Sequence, residues 1–254
     1  MSEAVIRAIK EAMMNRGKNT PTIFLAKGKI QAGKMRKATT LYDATLPLSE
    51  KTIVYPGDPT LKITPVSSLE VGDICNVSKI EMGSHFGTHV DFPRHVFRNG
   101  ATSDFFPIDR FTGRGVIIDV PSDIKVISSQ TLCSTPYHDI DSDLIILLKT
   151  RNSMLWNGGS FVEDYVYLDI SAAEWLISKR PRLVGIDYVS VDVYNSGDLP
   201  VHRLLLSNNI PILENLDLSG ISGGYYDIYC LPISIVGIDA LPARVLIKKI
   251  MRFR

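Results

Sequence analysis

The sequence predicts an α/β domain built on a mixed sheet. Three observations carry this expectation. Short apolar runs of strand character dominate, few segments show helical spacing, and no repeat of about 20 to 50 residues points to a solenoid or a propeller. The 254 residues can bury one large core, and with 45% apolar and 22% charged residues the composition is that of a folded globular chain.

Taken in chain order, residues 2–16 place Val5, Ile6, Ile9, Met13 and Met14 at the spacing of an amphipathic helix that Gly17 stops. The stretch LAKGKIQAGKMRK follows, with five basic residues and two glycines, and reads as an exposed linker; it has no aromatic side chains on which bases could stack. Residues 1–38 are therefore expected to form an N-terminal extension and residues 39–254 the main domain. That domain opens with β-rich pieces broken by Pro47, the Pro56-Gly57 turn and Pro65. Strands are expected at 115–120, 143–149, 165–170 and 182–193, and again in the tail from Tyr225 to Ile250. Between the third and fourth of these, Ser171 and Glu174 stand at capping-box spacing before a short helix, SAAEWLISK.

Charge narrows the partners. With 28 basic and 27 acidic side chains the net charge is +1, so no overall field draws the chain to nucleic acid or to an anionic membrane, and no apolar run reaches the roughly 18 residues of a membrane span. A small-molecule substrate and further copies of the chain are the expected partners. The charged N-terminus is unlike a secretory leader, so the protein reads as cytoplasmic. Cys75, Cys133 and Cys230 are odd in number and far apart; they read as buried thiols and not as a disulfide framework or a thiolate zinc site.

The densest chemistry lies in GSHFGTHVDFPRH, residues 83–95, which holds three of the five histidines. Gly83, Gly87 and Pro93 make a helix costly here, so the segment is extended or looped. In an extended chain His85, His89, Asp91 and His95 share a face because all four positions are odd. At about 3.3 Å per residue His89 and Asp91 lie near 7 Å apart, whereas His85 would lie about 13 Å from His89 unless the chain bends at Gly87. Thr88 offers a hydroxyl to tie such a bend down. A lone loop histidine usually only hydrogen-bonds. Three with a carboxylate on one face are costly to bury without a partner, and imidazoles with a carboxylate suit Zn²⁺, Mn²⁺ or Fe²⁺ better than Ca²⁺.

The segment resembles the H-x-G-T-H-x-D-x-P-x-H signature of the metal-dependent cyclase family, with His85, Gly87, Thr88, His89, Asp91, Pro93 and His95 at every fixed position. The resemblance extends to LYDATLPL and YPGDP near 41–59, GIDYVSVD at 185–192 and VHRLLLSNNIPILENL at 201–216. It implies a mixed-sheet β/β/α domain of the swivelling type. It implies one or two divalent ions per chain, Zn²⁺ first and Mn²⁺ next, with His85, His89 and Asp91 as ligands of one and His202 and Glu214 completing another, Asp91 and Glu214 bridging. His95 is implied as the proton donor and acceptor. The implied activity is hydrolysis of an amide-type C–N bond, as in an arylformamide such as N-formylkynurenine; isatin-like lactams, cyclic esters, a biosynthetic cyclase or dehydratase and a non-catalytic metal-binding role are the alternatives. Tyr55 stands where kynurenine formamidases of the family carry a substrate-pocket tryptophan. A homodimer or homotetramer is the implied assembly.

Two other motifs are set aside. GISGG at 220–224 imitates a nucleophile elbow around Ser222, but no histidine follows it in the chain. DIDSD at 139–143 begins like a calcium loop yet has Leu144 where glycine is required and Thr150 where the closing glutamate belongs.

Overall fold

The computed structural model describes residues 41–250. The expected helix at 2–16, the basic linker and the extension as a whole lie outside the described residues. Twelve strands are described: β1 (Leu41–Asp43), β2 (Lys62–Ser67), β3 (Val77–Glu81), β4 (His89–Asp91), β5 (Thr112–Asp119), β6 (Val126–Ile127), β7 (Ile145–Lys149), β8 (Tyr167–Leu168), β9 (Leu183–Ile186), β10 (Ile212–Glu214), β11 (Gly224–Pro232) and β12 (Ala240–Lys249). Three α-helices accompany them among the described residues: α1 (Ser129–Cys133), α2 (Ile170–Ser178) and α3 (Pro200–Ser207).

The main sheet runs β1-β12-β11-β5-β7-β9-β10-β4, and β4 also pairs with β12, so seven strands close into a barrel to which β1 is added. Strands β5, β7, β9 and β10 are mutually parallel; the pairings involving β4, β11, β12 and β1 are antiparallel. The expected mixed α/β class holds. Its parallel strands read as unbroken apolar runs because both their faces are covered. Alternation then sorts the side chains: Ile146 and Leu148 of β7 pack with Ile118, Ile186 and the helix residues Leu132, Leu176 and Leu205, while Ile145 and Leu147 turn inward to Leu183, Ile228 and Val245. Full burial of each such side chain contributes about 1.5–3 kcal/mol, and a one-residue slip would reverse every face. No described helix is long and apolar enough to cross a membrane.

Several local expectations are corrected. The strand predicted over 182–193 ends at Ile186, because Asp187 turns to accept hydrogen bonds from the Thr150 and Ser153 backbone and hydroxyl groups at 2.7–3.1 Å. The strand predicted over 165–170 shrinks to Tyr167–Leu168, paired only with β6. Helix α2 is capped by Asp169, whose carboxylate takes the Ala172 N–H at 2.9 Å; Ser171 lies inside the helix and donates to that same carboxylate, so the Ser171–Glu174 capping box does not form. Of the cysteines only Cys230 is buried, while Cys75 and Cys133 are exposed. Ser222 sits in the turn before β11, where Gly223 donates its N–H to Asp119.

Candidate metal centre

The signature segment is folded by its own small residues. Gly87 has φ +70°, a left-handed conformation that strains any residue with a Cβ, and a Cβ there would also push aside the exposed Leu48 side chain, whose Cδ2 lies 2.1 Å from that position. Thr88 ties the bend down: its hydroxyl donates to the Asn215 carbonyl at 2.5 Å and accepts the Leu46 N–H at 2.9 Å. Beyond the bend, β4 runs fully buried through His89, Val90 and Asp91, with His89 opposite Glu214 in the β4–β10 register. The extended reading fails at His95. Pro93 starts a 3-10 turn, Pro93–His95, and the turn, not strand alternation, brings that ring to the site.

His202 arrives from α3. The α3 sequence has Pro200 at its first turn and buries Val201, His202, Leu205 and Leu206 along one face. Its N-cap residue Leu199 offers no side-chain oxygen, and Asp192 supplies the acceptors instead. One carboxylate oxygen takes the Val201 N–H at 2.8 Å; the other takes the His202 N–H at 3.0 Å and His202 Nδ1 at 2.7 Å.

The side chains converge on Asp91. His85 Nδ1 is 2.8 Å and His89 Nε2 3.2 Å from Asp91 Oδ1, and His202 Nε2 is 3.5 Å from Oδ2. Glu214 reaches the same cluster, with Oε1 3.2 Å from His202 Nε2 and Oε2 3.8 Å from His89 Nε2. Two ligand-like triads share Asp91: His85, His89 and Asp91, and Asp91, His202 and Glu214. Each imidazole spends its other nitrogen on a fixed acceptor outside the cluster: His89 Nδ1 on the Gly87 carbonyl at 2.9 Å, His202 Nδ1 on Asp192, and His85 Nε2 on Asp239 Oδ2 at 2.9 Å. The partners assign the N–H to those outer nitrogens and leave the inner ones with free lone pairs, the orientation a metal-binding imidazole requires.

Asp91 decides whether a cation fits. Its side chain is fully buried, and neither carboxylate oxygen has a conventional hydrogen-bond partner among the described residues, the nearest groups being the ring nitrogens of His85, His89 and His202. A buried ionised carboxylate without a partner is costly, and lone pairs crowding it from several sides have no reason to converge unless a cation lies between them. Nitrogen and carboxylate donors in this ratio match a borderline divalent ion.

Without a cation, protons take its place. Burial disfavours a charged His85, but the Asp91 and Asp239 carboxylates outweigh it and lift its pKa to about 10. Burial likewise opposes charge on His202, which Glu214, Asp192 and Asp91 nonetheless raise well above the usual imidazole value. Burial works against the Asp91 charge too, yet the adjacent His89 and His85 hold its carboxyl well below the ordinary range, whereas burial leaves Glu214 raised despite His202. His95 goes the other way: burial, with His85, His202 and His89 nearby, prevails over the pull of Asp91 and lowers it to about 4, so its ring is neutral near pH 7.

All seven residues singled out in the sequence meet at one cavity or directly beneath it. The cavity, about 230 Å³, is walled by His85, His89, His95, His202 and Glu214 with Tyr55 across from them, and Asp91 lies below. The His95 ring centroid is 4.3 Å from that of His85 and 5.5 Å from that of His202. Tyr55 packs against Phe161 and Tyr194, and its hydroxyl accepts the Asn195 N–H at 3.1 Å. Sequence reasoning missed Asp192, Asp239 and Asn215. Asp192 stands in the quoted GIDYVSVD segment but carried no assigned role, and Asp239 is 154 positions from the histidine it holds.

Comparison with known proteins agrees with this geometry. The cyclase family model matches residues 42–193. A kynurenine formamidase of Salinibacter ruber is 32% identical over 209 residues, covering 82% of this chain and 97% of the relative. A solved structure described as a potential metal-dependent hydrolase with cyclase activity superposes with a TM-score of 0.72 at 31% identity, over 83% of this chain and 98% of the other. Isatin hydrolase A of Labrenzia aggregata shares the fold, with a TM-score of 0.70 at 23% identity over 83% and 93% of the two chains. The chain belongs to the cyclase family and is a hydrolase of that family.

Proposed function

We propose that the protein is a metal-dependent hydrolase that cleaves an amide-type C–N bond, with an arylformamide such as N-formylkynurenine as the substrate class. The observation that carries the metal part is the buried, unpartnered Asp91 carboxylate ringed by imidazole lone pairs. His85, His89 and Asp91 would hold one divalent ion and His202 and Glu214, with Asp91 shared, a second; Zn²⁺ suits the donors best and Mn²⁺ next. An ion so held lowers the pKa of water toward neutrality and polarises a carbonyl.

The protein's own groups account for the rest. His95, neutral near pH 7 and on the cavity wall, takes a proton from the attacking water and returns it to the departing nitrogen as the C–N bond breaks, giving a carboxylic acid and an amine. Tyr55, backed by Phe161 and Tyr194, presents an aromatic surface to an aryl substrate. The names of the relatives support the substrate class. A second reading, a compact lactam such as isatin, is favoured by the small cavity and by tyrosine in place of an indole.

The test is hydrolysis of N-formylkynurenine, a simple aryl formamide and isatin by zinc-loaded and chelator-treated protein. Chelator-sensitive turnover of either formamide supports the proposal, turnover of isatin alone supports the second reading, and metal binding without turnover of any of the three refutes both.

A further inference from the structure

Leu199 holds a backbone conformation that its side chain makes costly. It immediately precedes α3 with φ 49° and ψ 59°, in the left-handed region that crowds any Cβ. Pro200 follows, and a residue before proline is driven toward extended angles, so the strain is compounded. Among the described residues, positive φ occurs at five other non-glycine positions. Asp143, Asn195, Asn209 and Asn215 are of the types that tolerate it, and Arg180 lies exposed just beyond α2; Leu199 is the apolar member of the set. Its neighbours clamp it there. The Ser196 hydroxyl accepts the Leu199 N–H at 3.3 Å, the Leu199 carbonyl accepts the Arg203 N–H at 2.9 Å, and Asp192 fixes the first turn of α3. Entry into α3 accounts for the angles but not for the residue, since glycine adopts such angles freely, as Gly197 does at φ 73° two positions earlier.

Core packing does not account for the residue either. Leu199 is half-buried, yet it belongs to none of the three apolar clusters that make up the core. Its place is the wall of the metal-site cavity, where the other apolar groups are Tyr55 and Val189, and both of those pack into a core cluster. We propose that Leu199 is a specificity-determining residue: its isobutyl group, held at the cavity wall by the strained backbone, limits the cavity to a substrate with a single aromatic ring. The inference rests on the amide-hydrolase reading and adds the size of the substrate it admits. Strain that the surroundings enforce concentrates at ligand sites, and here it places an aliphatic group beside the metal cluster. The cavity is also small, since about 230 Å³ must take both the scissile group and the ring. Leu199→Gly removes as many carbon atoms from the wall as a second fused ring adds to the first, so space opened on the protein can be matched on the ligand.

The test compares full-length wild type, Leu199→Ala and Leu199→Gly, each reconstituted with zinc. Benzohydroxamate and 1-naphthohydroxamate, which bind a metal without being hydrolysed, are titrated calorimetrically; formanilide and N-formyl-1-naphthylamine are assayed for turnover. Wild type should prefer the single ring in both measurements. Leu199→Gly should move the naphthyl-to-phenyl ratio of affinity and of kcat/KM at least about tenfold toward the fused ring, with Leu199→Ala between. Thermal unfolding of the metal-free proteins reads the strain. Glycine ordinarily leaves a protein less stable than alanine at the same position, but here Leu199→Gly should melt about 2 °C or more above Leu199→Ala. An unchanged ratio in zinc-loaded Leu199→Gly overturns the inference and leaves the hydrolase reading standing, as does a Leu199→Gly protein that unfolds or melts below Leu199→Ala. If wild type turns over neither formamide, the hydrolase reading falls and the hydroxamate ratio decides this inference by itself; a wild type that retains no zinc overturns both.

Discussion

Asp192→Ala should separate scaffold from chemistry. The carboxylate accepts three buried hydrogen bonds, two from the start of α3 and one from the His202 ring, at 2.7–3.0 Å. Bonds to a charged acceptor are each worth about 1.5–3 kcal/mol, and losses within one network do not add fully, so destabilisation of about 4 kcal/mol is expected. The imidazole of His202 also loses the partner that fixes its tautomer, a change that typically weakens metal binding 10–100-fold. Asp192→Asn keeps an acceptor for His202 but opposes an amide NH₂ to the Val201 N–H, so it should fall between wild type and alanine in both respects. Urea unfolding of metal-free protein gives the first quantity and zinc competition titration the second. An alanine variant that binds zinc within twofold of wild type would refute the claim that Asp192 positions His202 for a metal.

Other perturbations test other links. His95→Ala should retain zinc and lose about 10²–10⁴ in kcat; unchanged kcat in steady-state assays would remove the proton-transfer role. Gly87→Ala puts a Cβ in a left-handed backbone, with the exposed Leu48 side chain free to move aside, and should cost about 1–2 kcal/mol by urea unfolding, with a near-neutral result contradicting the bend. For pH, the folded metal-free protein holds His85 at about 10 against roughly 6.5 unfolded. A raised folded value stabilises most below pH 6.5 and is lost as pH climbs to about 10. The raised His202 acts in the same sense. Unfolding free energy of metal-free protein should therefore decline across that window while zinc-loaded protein changes less, and a flat metal-free profile would count against the charge account.

Much of the site was legible because its ligands are local. His85, Gly87, His89 and Asp91 lie within seven residues, and strand alternation with one hinge suffices to converge them. His202 and Glu214 were reachable only through a known spacing. Nothing in PVHRLL distinguishes a ligand from a core histidine until α3 and β10 are docked beside β4. Asp239 was illegible because its link to His85 spans the closure of the barrel, where β12 meets β4 and the Phe92 N–H bonds the Asp239 carbonyl. The strand runs at 143–149 and 115–120 were readable from apolar continuity. The 182–193 run misled because its apolar pattern continues past Ile186, while the backbone follows the hydrogen-bonding demands of Asp187 and Asp192. Local pattern reports burial, and only tertiary pairing reports direction.

The most direct measurement is metal content. Full-length wild type and Asp91→Ala, each stripped with chelator, reconstituted with zinc and desalted, would be compared by elemental analysis. One to two zinc ions per wild-type chain and none in Asp91→Ala is the expected result; a wild type that retains no ion, or a variant that retains as much as wild type, would contradict the account.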